Sequence, residues 1–231
     1  MKTTKKALLF TFCAVLLVVA SVLGTMAYLT SSEKVTNTFT VGNVNITLDE
    51  ADVNEAGELE TSERVKGNTY HLLPGHTYIK DPTVTVLDGS EKSYVRMIAT
   101  ITYNKDADSV FGTVNSVQSI EKWLDINSED WKNTGAPKTT DIGNQITRSY
   151  EFRYSKVVDK VEQENGNKLS ALFTKITVPG EITNDDLAKL ADLKIDVEAH
   201  AIQADGFTTA DAAWKAFDEQ VNPSQGATEG Q

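Results

Sequence analysis

Apolar and polar residues alternate along several short stretches of this chain, and a two-residue period of that kind predicts strands with one covered face. Val35, Phe39 and Val41 share a face, with Thr36, Thr38 and Thr40 on the other. The series resumes at Val44, Ile46 and Leu48. The step from Val41 to Val44 is one residue too long and contains Gly42, which predicts a bulge or bend between two strands. Residues 70–73 and 78–87 read as strands on either side of a Pro74-Gly75 turn, and Pro82 calls for an edge position or an irregular strand start beside it. Asp88-Gly89-Ser90 makes the next turn. The clearest strand is 93–103, with Val95, Met97, Ala99, Ile101 and Tyr103 facing one way and Arg96, Thr100 and Thr102 the other. Further strands are predicted over 146–158, 171–178 and around Ile195, Val197, Ala199 and Ala201.

Other stretches lack this period. Residues 49–68 are rich in acids, contain two glycines and read as an exposed loop. From 106 to 144 the pattern weakens, with Trp123 and Trp131 as the expected anchors, and 162–168 reads as a hairpin-type loop. Near the C-terminal end, Thr183 with Asp186 predicts the cap of a short helix. Thr208 with Asp211 predicts a second, whose Ala212, Ala213, Trp214, Ala216 and Phe217 combine helix propensity with an apolar stripe. Residues 222–231 are polar and expected to be disordered. Many antiparallel-looking strands, turn-rich connections and no regular strand–helix–strand succession predict a mostly β fold, an antiparallel β-sandwich with short helices near the C-terminus. The expected organisation is a single domain over residues 28–221.

The N-terminal end changes the picture. Lys2, Lys5 and Lys6 precede an uncharged apolar run over 7–23, and Gly24-Thr25-Met26-Ala27 ends it with small residues. That succession predicts a secretory signal peptide over 1–27, cleaved between Ala27 and Tyr28; a retained membrane anchor is the rival reading. Loss of its three lysines takes the formal charge from −11 to −14, a balance that opposes nucleic acid and anionic lipid as partners. The sole cysteine, Cys13, lies inside the same segment, so a processed chain has neither a disulfide nor a thiolate metal site.

Candidate chemistry is sparse. His71 and His76 lie five apart across the Pro-Gly turn, and His200 falls on the strand face opposite Val197, Ala199 and Ala201, exposed or under a loop. No His-Glu-x-x-His, Gly-x-Ser-x-Gly or phosphate-binding glycine motif occurs. The segment from Asp52 to Glu63 matches a calcium loop at its first, third, sixth and twelfth positions, which makes Asp52, Asn54, Glu58 and Glu63 weak metal candidates; Ala56 stands where a fifth-position ligand belongs. No cofactor is expected beyond that weak calcium option.

Gly24-Thr25-Met26-Ala27-Tyr28-Leu29-Thr30 and Asn37-Thr38-Phe39-Thr40-Val41-Gly42-Asn43-Val44 resemble the start of the TasA/camelysin family, exported proteins of Gram-positive bacteria processed by a SipW-type signal peptidase. The likeness continues through Leu73-Pro74-Gly75, Ile79-Lys80-Asp81-Pro82-Thr83-Val84 and Tyr94-Val95-Arg96. It ends in the run from Val197 to Phe207 and in Ala212-Ala213-Trp214. The resemblance implies a jelly-roll β-sandwich, secretion to the cell surface or biofilm matrix, and self-association into extracellular fibres in which an N-terminal segment completes the sheet of the next subunit. Val35, Phe39 and Val41 are then the assembly strand. A metal-dependent secreted peptidase, a label attached to some relatives, and a monomeric surface binding protein are the alternatives.

Overall fold

A computed structural model describes residues 43–111 and 123–221. The signal segment 1–27 with its Ala27–Tyr28 cleavage point, the assembly positions Val35, Phe39 and Val41, and the tail 222–231 lie outside the described residues.

The fold is mostly β, antiparallel throughout, with few and short helices. One sheet has the order β2-β1-β4-β9, from β1 (Ile46–Val53), β2 (Leu59–Val65), β4 (Thr83–Val86) and β9 (Asn167–Lys168). The other has the order β11-β5-β8-β6, from β5 (Ser93–Asn104), β6 (Trp131–Asn133), β8 (Gln145–Tyr154) and β11 (Lys194–Gln203), with β7 (Lys138–Ile142) also on β8. A small ribbon joins β3 (Thr77–Ile79) to β10 (Lys175–Thr177). The helices are α1 (Asp108–Phe111), α2 (Asn184–Lys189) and α3 (Ala210–Val221).

The period-2 pattern decides which faces are covered. Val95, Met97, Ala99, Ile101 and Tyr103 of β5 and Tyr150 and Phe152 of β8 turn inward and share one buried core with Val84 and Val86 of β4. On the opposite face of the same strands, Thr100 and Ser149 share a hydrogen bond at 3.1 Å, as do Thr102 and Thr147 at 3.3 Å. Hydroxyl pairs of this kind suit a polar face. Trp131 is fully buried and its indole N–H donates to the Ser170 carbonyl at 3.0 Å, while Trp123 packs on Phe111. Both tryptophans therefore anchor the weakly patterned span. That span also holds β6 and β7, whose exposed residues leave no apolar period to read.

Two expectations about strands need correction. Residues 49–68 are not a loop: they carry the end of β1, a turn and β2. Every residue of Leu59–Arg64 except the last is exposed, so backbone pairing rather than side-chain burial makes this strand. The hairpin tip is docked, because Gly57 (φ +75°) has its Cα so close to Tyr78 that a Cβ there would meet the Tyr78 Cα at 2.6 Å. Residues 70–73 are not a strand either, since the Tyr78 hydroxyl occupies the backbone groups a neighbour would use. It accepts from the Leu73 N–H at 2.6 Å and donates to the His71 carbonyl at 2.8 Å. Pro82 does interrupt the 78–87 run, separating β3 from β4, which starts at Thr83.

At the C-terminal end, Thr183 and Asp186 form the reciprocal capping box of α2. The Lys189 ammonium and Thr183 hold the Asp186 carboxyl down at about 2. For α3 the cap is Thr209 rather than Thr208: its hydroxyl accepts from the Ala212 N–H at 3.2 Å.

Candidate functional site

Glu50 follows Ile46 and Leu48 on one face of β1, so the strand turns its carboxylate inward with them. Lys80, between β3 and β4, meets it there. The Lys80 Nζ lies 2.6 Å from Glu50 Oε2, and the two side chains are only 9% and 6% exposed. Asn68 completes the cluster. Its Nδ2 donates to Glu50 Oε1 and to the Ala51 carbonyl, both at 2.8 Å, and its Oδ1 accepts from the Val53 N–H at 3.1 Å. The Lys80 ammonium sits 5.9 Å from the centre of the Tyr70 ring, and burial, with Glu50 close by, pushes the Tyr70 phenol above its usual range. Beside this, Arg64 bonds the Asp49 carboxylate and reaches Asp81 Oδ2 at 2.8 Å, and Asp81 Oδ1 accepts from the Ala51 N–H at 2.6 Å. The Lys80-Asp81 pair of the family-like motif thus holds β1, β2 and the β3–β4 connection together.

A second cluster forms where Arg96, on the outward face of β5, is covered by α3. Its guanidinium lies 4.4 Å from the Trp214 ring centre and 5.0 Å from that of Phe217, donates to Asp218 at 2.5 Å, and is 5% exposed. Nε of Arg96 donates to His200 Nδ1 at 3.2 Å, and His200 Nε2 lies 3.0 Å from Glu198 Oε1. His200 is neither exposed nor under a loop; it lies under a helix, 4.9 Å from the Phe217 ring. Nearby, Arg153 bonds Glu151 at 2.6 Å and also Asp211 at the start of α3.

The hydrogen bond from His200 lowers the Glu198 carboxyl below its ordinary 4.5. A carboxylate depressed in the folded state adds stability above its unfolded pKa and loses it as the pH falls through the folded value. Glu198→Gln is therefore expected to flatten the fall in melting temperature between neutral and acid pH. The check is a series of thermal scans across the carboxylate range; an unchanged acid limb would refute it.

No protein-family model, curated protein or solved structure matches this chain.

The calcium candidates are dispersed along the hairpin. Asp52 Oδ2 accepts from the Thr61 hydroxyl at 2.7 Å. Asn54 Oδ1 caps the turn by accepting from the Ala56 and Glu58 N–H groups at 3.0 and 3.1 Å, and Glu63 lies on β2. His71 and His76 are exposed on either side of the Pro-Gly turn, and the His76 Nδ1 contacts the Pro74 carbonyl at 3.1 Å. Among the described residues no group of three His, Cys, Asp or Glu side chains is placed to hold a metal ion. Nor is any described helix long and apolar enough to cross a membrane.

One surface bears on assembly. Strand β11 pairs only with β5 among the described residues, so no described strand covers its other edge. The inward residues Ile195, Val197 and Ala199 of β11, and Ile46 and Leu48 of β1, pack on the core yet stay partly exposed. Strands β1 and β11 approach one another there. The result is an apolar seam beside a ten-residue edge that no described strand pairs.

Sequence reading missed Glu50, Asn68, Arg64 and Asp81. The usable signal was Glu50 itself: an acid at the next inward position after Ile46 and Leu48 requires a buried cation.

Proposed function

We propose that this chain is a secreted structural protein of the cell surface or biofilm matrix, similar to the TasA/camelysin family, that self-assembles by donor-strand addition. The observation that carries the reading is the partly covered seam along β1 and β11 beside the β11 edge that no described strand pairs. An extended segment with alternate apolar side chains suits such a seam: its backbone adds ladder bonds and its side chains set the register. Residues 28–41, with Val35, Phe39 and Val41 at alternate-face positions, have that pattern. They lead directly to Val44, which is fully buried at the start of the domain. A segment from one subunit entering the next makes a head-to-tail contact that need not close, and so propagates. Signal cleavage after Ala27 frees the segment for this use.

The test compares the processed protein with a form lacking residues 28–41 and with Phe39→Ala. Truncating a buried aromatic costs about 3–5 kcal/mol. Both variants are expected to stay folded by circular dichroism and to lose sedimenting polymer at matched concentration. Polymer from the deletion form as abundant as from the intact protein would refute donor-strand addition. Intact protein that stays monomeric at every concentration would favour a surface binding protein.

A further inference from the structure

We propose that Lys80 and Asn68 are the two ends of an intramolecular amide cross-link, formed by the protein itself with Glu50 as the proton-transfer group. The case rests on the contents and geometry of the buried cluster and is independent of the assembly reading. A buried amine and a buried carboxyl group are held against a half-buried carboxamide. The two oxygens of one carboxyl bridge the reacting partners, Oε2 to Lys80 Nζ at 2.6 Å and Oε1 to Asn68 Nδ2 at 2.8 Å. The carboxamide is oriented by two further bonds. Nδ2 points at the Ala51 carbonyl and Oδ1 receives the Val53 N–H.

Each of these contacts has a chemical consequence. Glu50 takes a proton from the Lys80 ammonium and leaves a neutral amine whose lone pair attacks Cγ of Asn68. The C–N bond forms as the carbonyl electrons move onto Oδ1, where the Val53 N–H is already placed to stabilise negative charge. Glu50 then relays a proton from Nζ to Nδ2. The Cγ–Nδ2 bond breaks, ammonia leaves, and an amide joins Lys80 to Asn68, with Glu50 protonated. No oxidant or activated co-reactant enters, and atoms and charge balance. Fixing amine, amide and carboxyl in one hydrogen-bonded cluster supplies the proximity that a free lysine and asparagine lack.

The staple joins the chain leaving β2 to the β3–β4 connection, at the point where Glu50 of β1 is buried. It also fits a chain whose only cysteine lies in the segment removed on export, so that no disulfide is available outside the cell.

Intact-mass measurement of the denatured, processed full chain tests this. The expected mass is lower than the sequence value by one ammonia. Trypsin is expected to release residues 67–92 as one looped peptide, uncut after Lys80 and silent to fragmentation between Asn68 and Lys80. Glu50→Gln and Lys80→Arg are expected to restore the full mass and cleavage at position 80 in the glutamine variant, while circular dichroism shows the native fold. Folded wild-type protein at full sequence mass after prolonged incubation would overturn the proposal. Ammonia loss that maps to Asn165-Gly166, where a succinimide is the chemical alternative, would overturn it equally. A loop that forms undiminished in Glu50→Gln would remove Glu50 from the reaction and overturn the mechanism.

Discussion

Trp214→Ala is expected to release the C-terminal helix from the sheet while the sandwich remains folded. Trp214 is 1% exposed and belongs to a small core of its own, with Ile202, Ala213 and Phe217, separate from the main one. Truncating a buried tryptophan costs about 3–5 kcal/mol when the site does not collapse. The flat face of Trp214 also supports the Arg96 guanidinium at 4.4 Å, so the substitution removes a cation–π contact together with apolar packing. A twelve-residue helix has too little stability of its own to survive the loss of its docked face. The consequence is local. Amide hydrogens of Ala210–Val221 are expected to exchange far faster than those of β5 and β8, and an apolar dye is expected to bind the uncovered Tyr94, Ile202 and Phe207. Arg96→Lys is expected to give a milder form of the same phenotype, because an ammonium keeps the charge but loses the planar stack and the fork on Asp218. Uniform protection across helix and sheet in Trp214→Ala would show that the helix is held by something other than this core.

How much of this was legible in the sequence follows from what each element buries. Strands β5, β8 and β11 and the α2 capping box were legible because their function in the fold is written into side-chain type: alternate residues face a core, and Thr183 and Asp186 satisfy the backbone at a helix start. Strands β2 and β7 were not legible, because residues such as Thr61, Ser62, Thr139 and Thr140 are exposed and their pairing is made by the backbone. The Arg96 cluster was half legible. Alternation placed Arg96 and His200 on the outer face, but only the docking of α3 converts that face from solvent to a second small core. The Lys80 site was hidden for a different reason. Its members come from β1, the segment after β2 and the β3–β4 connection, and nothing local in the chain marks Asn68 as the neighbour of Glu50. An inward acid on β1 was the one visible sign, and it lay at the margin of what read as a loop.

Before Lys80 and Asn68 are joined, the same site carries the second large stability effect. Glu50→Ala and Lys80→Ala are each expected to destabilise the domain by about 3–5 kcal/mol, because removing one member of a buried ion pair strands the other's charge. Neither stranded group has an adequate substitute at hand. Among the described residues Lys80 would keep the Tyr70 ring and Glu50 the Asn68 amide. Arg64 does not fill the gap, since its guanidinium is engaged by Asp49 and Asp81. The double variant Glu50→Ala/Lys80→Ala is expected to lose clearly less than the sum of the singles, because the second substitution removes the charge that the first one stranded. Denaturant unfolding of the four proteins at neutral pH, with the wild type taken at full sequence mass before the cross-link forms, measures the cycle. Strict additivity would mean that the two side chains act independently, which the 2.6 Å contact at less than a tenth exposure does not allow. Asn68→Ala separates packing from charge within the cluster. It leaves the pair intact, costs the N–H of Val53 and the carbonyl of Ala51 their partner, and is expected to fall below either charge-stranding single in its effect.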